Sequence, residues 1–376
     1  MKRPLTPTLL SLLLPAFLLA SCGDAAPDGP PPVAPEVMAT IAEKPGTDRE
    51  TLARRVDALF TREDLGETRA VILMHAGEVA AERYAEPYDA DTRFLGWSMA
   101  KTVTGVLTGI LIAEGRLQLD EDAPIPRWRR AGDPRGDITI RQLLQMRSGL
   151  RHAETAPDIT QADTVRMLFL DGRDHMAQAA EAQPLEFEPG TQFTYSTANS
   201  IVLMDIAARV LAPGGSPDQR REQVAAFLQS RLIAPLGMDS MRAEYDASGT
   251  MIGGSMIWAN ARDWAKFGEL LRHGGSERGI QLVPRGWVNF MTSPSPAAPD
   301  YGASLWLNRE SDTHRTVLFP DRLPESIFAA VGHQGQYVIV WPEKKLTLVR
   351  LGQTEESERP ALQQALADVL DVYSGK

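Results

Sequence analysis

The chain has 376 residues, 43% of them hydrophobic and 23% charged, and a formal charge of −10. This size and composition suit one large globular domain or two closely joined ones, and they exclude a disordered chain or a membrane bundle for the body of the protein. The acidic balance excludes the dense cationic surface that phosphate backbones require, so no nucleic-acid partner is expected.

The N-terminus has a character of its own. "MKRPLTPTLLSLLLPAFLLASCGD" carries two cationic residues, a short apolar core from Leu9 to Ala20, and small residues ahead of Cys22. The apolar run falls short of the about 20 residues of a spanning helix and is broken by Pro15, so residues 1–22 read as a secretory signal. Leu19-Ala20-Ser21-Cys22 resembles a bacterial lipobox, which implies cleavage before Cys22 and acylation of its thiol. Cys22 is the only cysteine of the chain, so no disulfide claims it. The expectation is a lipid anchor in the bacterial cell envelope, facing the periplasm or the exterior. Residues 23–47, rich in Pro and Ala, read as an extended tether, and the folded part as residues 48–376, beginning near Asp48.

In chain order, "RAVILMHAGEVAAERYAE" predicts two short strands around a turn at His75 to Glu78. A buried helix over Thr102 to Glu114 follows. "DITIRQLLQMRSGL" predicts a brief extended start and a helical turn closed by Gly149. Residues 153–251 carry mostly helical patterns, clearest in "ANSIVLMDIAARVLA" and "REQVAAFLQSRLIAPLG", so a helical subdomain is expected over about 102–250. "TMIGGSMIW" reads as strand-like and "ARDWAKFGELLRHGG" as a helix ended by Gly274. Near the end, "FAAVGHQGQYVIVWPEKKLTLVRLG" predicts two strands joined by Pro342 to Lys345, and "RPALQQALADVLDVY" an amphipathic closing helix. Strands thus come from both ends and helices from the middle.

Three segments carry candidate chemistry. In "FLGWSMAKTVTGVLTGILIAEG", Ser98 and Lys101 stand at i and i+3, which share a helix face. A hydroxyl becomes nucleophilic when a base takes its proton, and a lysine serves only if desolvation keeps it neutral. No acid occupies the next two turns after Lys101, and 32 of the 39 basic residues are Arg, which cannot act as a base. The bland reading makes Ser98 a helix cap whose Lys101 reaches water. In "EPGTQFTYSTANS", Tyr195 precedes a strong helix, where its phenol can relay a proton or simply sit in the core. In "GHQGQY", glycines beside His333 and Gln334 suit a strand edge that a ligand approaches closely, with a backbone N–H for an oxyanion, or an ordinary tight turn.

Taken together, in this order and spacing, the three segments resemble the superfamily of serine β-lactamases, penicillin-binding proteins and family VIII esterases. The likeness is to its class C-like branch, and "GWSMAKTVTG" is most similar to the group that includes 6-aminohexanoate-dimer hydrolases. It extends from about Ala70 to Gly352. The resemblance implies an α+β fold, an antiparallel sheet flanked by helices with an inserted all-α subdomain. It implies Ser98 as the acylated nucleophile, Lys101 as its base and Tyr195 as the second proton-transfer group. His333, Gln334 and Gly335 would take the place of the family's Lys-Thr-Gly on the strand beside the site. The backbone N–H groups of Ser98 and Gln336 would form the oxyanion hole.

Two positions depart from the β-lactamase pattern. Thr197 stands where Asn is usual, and His333 replaces the Lys that would pair with a substrate carboxylate. Both point away from β-lactams and toward a small ester or amide, hydrolysed through an acyl-enzyme. A β-lactamase or D-Ala-D-Ala carboxypeptidase is the alternative within the fold. Outside it stand an α/β-hydrolase using "GWSMA" as its elbow, which lacks the final Gly, and a non-catalytic envelope binding protein. The six His show no metal-ligand spacing and no phosphate or dinucleotide fingerprint occurs, so neither metal nor cofactor is expected.

Overall fold

The computed structural model describes residues 31–313 and 315–375. The expected signal segment and Cys22 lie outside the described residues. Ordered structure begins earlier than the expected start near Asp48: Pro35–Ala39 forms a helical turn, and Val37 and Ile41 are buried. The Ala42 amide donates to the Ala80 carbonyl and the Glu82 amide to Thr40. The second part of the expected tether therefore packs along the edge of the sheet. The two apolar side chains four residues apart carry this docking, and the Pro-rich composition ahead of them masked it.

The main sheet has six strands: β1 (Glu67–His75), β2 (Glu78–Tyr84), β3 (Trp306–Leu307), β4 (Phe328–Gly332), β5 (Gln336–Trp341) and β6 (Leu346–Gln353). Their order is β2-β1-β6-β5-β4-β3, and every neighbouring pair is antiparallel. Alternate side chains divide between two cores, as the twofold period of a strand requires. Ala70, Ile72, Val338, Val340, Val349 and Leu351 face one core, and Val71, Leu73, Ile339, Leu346 and Leu348 the other. The second core is covered by α1 (Arg49–Thr61) and α5 (Arg359–Asp371). The first is covered by α2 (Met99–Ala113), α3 (Thr197–Leu211) and α4 (Ala261–Arg272).

Three local differences from the sequence reading bear on the site. Helix α2 begins at Met99, ahead of the expected Thr102, because Ser98 already has right-handed helical dihedrals. In "TMIGGSMIW" only Ile257–Ala259 is a strand; it pairs with Phe94–Leu95 and Arg242–Ala243. The residues before it turn so that the carbonyls of Gly253 and Gly254 accept hydrogen bonds from Thr104 and Lys101 of α2. Finally, Phe328–Gly332 is a strand in its own right, so His333, Gln334 and Gly335 form the turn of a β4–β5 hairpin and do not lie on a strand. Gln334 and Gly335 have φ of 60° and 77°, the left-handed values such a turn needs.

The middle of the chain is helical as expected. Helix α2 is its axis, buried from Met99 to Leu111. Gly109 lets it approach its neighbour: a Cβ there would lie 2.1 Å from Trp287 Nε1. That indole N–H donates to the Gly105 carbonyl at 3.0 Å.

Candidate active site

Ser98 is held at the mouth of α2 by the chain before it. Phe94–Leu95 pairs with Ala259 and Trp258, and the Gly96 amide donates to the Ile257 carbonyl. Trp97 then takes a left-handed φ of 48°, which turns the chain sharply into the helix. The Ser98 side chain makes no capping bond to the helix it precedes. Its hydroxyl instead lies 2.9 Å from Lys101 Nζ. Among the described residues the Ser98 amide has no acceptor, which leaves that donor free at a helix N-terminus.

Lys101 is 1% exposed and its amine meets three oxygens: Ser98 Oγ, Thr197 Oγ1 at 2.8 Å and the Gly254 carbonyl at 2.9 Å. Burial lowers its pKa to about 8, against a smaller upward pull from the Glu154 carboxylate, whose Oε1 is 4.0 Å away. A substantial neutral fraction therefore exists near neutral pH.

Glu154 is the residue that sequence reasoning missed. Its Oε1 accepts the Thr197 hydroxyl at 2.5 Å, and its Oε2 the Thr197 amide at 2.8 Å. Oε2 also lies 2.9 Å from both His152 Nε2 and Thr164 Oγ1. Burial pushes its carboxyl up, but the Lys101 charge, and with it His152 and Thr197, outweigh this and hold its pKa at about 2. No spacing rule marks Glu154, since "RHAETAPD" has the composition of a surface loop.

Tyr195 enters from the segment ahead of α3, with its ring centroid 4.9 Å from Lys101 Nζ. The ring stacks on Trp306 at 5.3 Å and meets Tyr301 edge-on. Burial, and then the Glu154 charge, raise its pKa, so the phenol stays protonated; the Ser98 hydroxyl and Trp306 work the other way. Thr197 is fully buried at the first position of α3, with its hydroxyl committed to the Lys101–Glu154 network.

The third segment reaches the site through His333, whose ring meets Trp97 edge-on at 5.5 Å. Its pKa is lowered, first by desolvation on its packed side and then by the Arg359 charge, so it offers no fixed cation at neutral pH. Gln334 contributes its carbonyl, which accepts from the Thr354 amide. The Gln336 side chain is occupied internally: Nε2 donates to the carbonyls of His333, Gln334 and Gly352, and Oε1 accepts the Gly352 amide. Gln336 is itself buried, and its backbone pairs with Gly332 in the β4–β5 hairpin. Behind the turn the fully buried Arg350 donates to the carbonyls of Gly335 and Glu67. The structure thus gathers Ser98, Lys101, Tyr195 and Thr197 directly, and His333 through Trp97.

A cavity of about 360 Å³ borders His152 and Ala198, with Arg151, Asp163 and Arg166 among its other walls; Ser98 does not line it. Among the described residues no cluster of three or more His, Cys, Asp or Glu is placed to hold a metal, and no helix is long and apolar enough to cross a membrane.

Comparison with known proteins bears on the family and the fold. The family model described as Beta-lactamase matches residues 62–372. The 6-aminohexanoate-dimer hydrolase of Paenarthrobacter ureafaciens is 28% identical over 272 residues, which cover 67% of this chain and 66% of that one, just under two thirds of the relative's length. A solved Bacillus anthracis structure, described as a candidate 6-aminohexanoate-dimer hydrolase, superposes with a TM-score of 0.65 at 20% identity, covering 84% of this chain and 82% of the other. A family VIII carboxylesterase superposes with a TM-score of 0.59 at 16% identity, over 85% and 96% of the two chains. At these identities the solved structures speak for the fold. With the family model spanning most of the chain, the protein belongs to the Beta-lactamase family of hydrolases.

Proposed function

We propose that this protein is a serine hydrolase that cleaves an ester or amide through an acyl-enzyme on Ser98. The observation that carries the reading is the uncapped Ser98 hydroxyl 2.9 Å from a buried Lys101 amine. In the first step the neutral amine takes the Ser98 proton as Oγ attacks the substrate carbonyl. The amides of Ser98 and Gln336 hold the developing oxyanion. Tyr195, a protonated phenol beside Lys101, passes a proton to the leaving alcohol or amine while the carbonyl re-forms. Water then attacks the acyl-enzyme, giving up its proton through the same groups, and Ser98 leaves with its proton restored.

Relatives named as an amide hydrolase and a carboxylesterase support the ester or amide class. A neutral His333 in place of a lysine supports a substrate without an anchoring carboxylate. The reading includes a lipid anchor at Cys22 in the cell envelope, supported by residues 1–22 alone. The test is incubation of the purified protein with a fluorophosphonate, followed by peptide mass spectrometry, beside a panel of p-nitrophenyl esters, linear amides and nitrocefin. A phosphonyl adduct on Ser98 with ester or amide turnover is expected. Absence of both, in protein with an intact thermal transition, refutes the enzyme and favours a binding protein of the same fold.

A further inference from the structure

We infer that Glu154 is a positioning residue: by holding the Thr197 hydroxyl hydrogen it aims the unshared electron pair of the neutral Lys101 amine at Ser98. The inference rests on the acyl-enzyme reading above and explains how its base is oriented.

A neutral amine has two hydrogens to give and one electron pair to offer, and Lys101 has three oxygen neighbours. Gly254 presents a carbonyl, which can only accept, so one hydrogen goes there. A threonine hydroxyl can face an amine either way, with its oxygen or its hydrogen. Here the choice is removed, because Glu154 Oε1 takes that hydrogen at 2.5 Å. The Thr197 oxygen must then accept the second amine hydrogen, across 2.8 Å. The direction that remains is toward Ser98 Oγ, and the electron pair points there, placed to receive the Ser98 proton. Without the carboxylate, the Thr197 hydrogen is free to turn to Lys101 and occupy that pair.

Glu154 is itself held by the Thr197 amide and hydroxyl and by the Thr164 hydroxyl, and its Oε2 lies 2.9 Å from His152 Nε2. The same carboxylate has an opposing effect, since its charge 4.0 Å from Nζ favours the ammonium form. The other titratable groups around the amine are Tyr195, which stays a neutral phenol, and His152 behind Glu154. Geometry and charge therefore leave separate signatures.

Glu154→Gln separates them. An amide has one acceptor oxygen and an NH₂ group, so it cannot present a separate acceptor oxygen to the amide and to the hydroxyl of Thr197, as the two carboxylate oxygens do. If its oxygen takes the amide hydrogen, its NH₂ faces Thr197 Oγ1 and drives the hydroxyl hydrogen toward Lys101. The experiment is the rate of fluorophosphonate labelling of Ser98 between pH 6 and 10 for the wild type, E154Q, T197V, T197S and E154Q/T197V, with thermal melts alongside. E154Q is expected to lose about tenfold or more of the high-pH plateau, part of the roughly 100- to 10,000-fold that a complete general base contributes. Its midpoint should also move to lower pH, a change that a merely loosened fold does not produce. T197S, which keeps the hydroxyl, should restore most of the plateau that T197V loses. In the T197V background E154Q should move the midpoint without a further plateau loss, because Glu154 then has no hydroxyl to hold. An unchanged plateau in E154Q, an equal loss in the T197V background, or a midpoint that stays or rises overturns the inference alone. A wild type that does not label at Ser98 overturns the underlying acyl-enzyme reading, and this one with it.

Discussion

Acylation of Ser98 is expected to follow the deprotonation of Lys101, and the structure sets the scale. Burial lowers the amine from its ordinary value of 10.5 to about 8. That shift corresponds to roughly 3 kcal/mol against the ammonium form and raises the neutral fraction at pH 7 from about 0.03% to about 10%. The base is active when unprotonated, so the rate falls as pH drops through 8 and levels off above it. Between pH 7 and pH 9 the labelling rate should rise about tenfold. The assay is the second-order rate constant for a fluorophosphonate at constant ionic strength, with the reagent's own hydrolysis subtracted. Lys101→Ala should remove the pH dependence and cost about 100-fold or more. A rate flat from pH 6 to 10 would exclude Lys101 as the base. A rate still climbing at pH 10 would show an amine that burial has not shifted.

Other outcomes follow from individual contacts. Tyr195→Phe keeps the stack on Trp306 and removes the phenol, so turnover should fall by about 100-fold or more while the thermal midpoint holds; near-normal turnover would assign the relay elsewhere. Gly109→Ala sets a methyl 2.1 Å from the Trp287 indole nitrogen and should cost about 2 kcal/mol, read as a lowered urea midpoint; an unchanged midpoint would mean that α2 has room to spare. Arg350→Met strips the donors from the carbonyls of Gly335 and Glu67 and should destabilise the protein by about 3 kcal/mol. Labelling at Ser98 should slow with it as the hairpin turn loosens, and a labelling rate equal to wild type would separate the turn from the site.

The first hairpin and the closing helix were legible because their periodicity is simple: β1 alternates between two cores, and α5 carries a clean apolar stripe, whereas α1 over Arg49–Thr61 was not read from the sequence. Ser98 and Lys101 were legible because their coupling is local, within one helical turn. What lay beyond reach was set by contacts distant in sequence. Gly254 approaches Lys101 from 153 positions away, and Glu154 reaches Thr197 across 43. Neither has a period or motif. The turn at His333 was misread as strand because VGHQGQ interrupts the apolar alternation for only a few residues, and two left-handed dihedrals there reverse the chain. The docking of Val37 and Ile41 was hidden by the proline-rich residues around them.

The pairing of β1 with β6 places Glu67 beside Gln353. The central ladder of the molecule therefore cannot be zipped until Gln353 has left the ribosome, and nearly three hundred residues must wait as a closed loop for that event. Such a topology makes assembly late and slow, with the apolar faces of the first hairpin uncovered in the interval. A frameshift that removes β6 and α5 would leave no smaller folded protein behind, just an aggregation-prone remnant for proteases to clear.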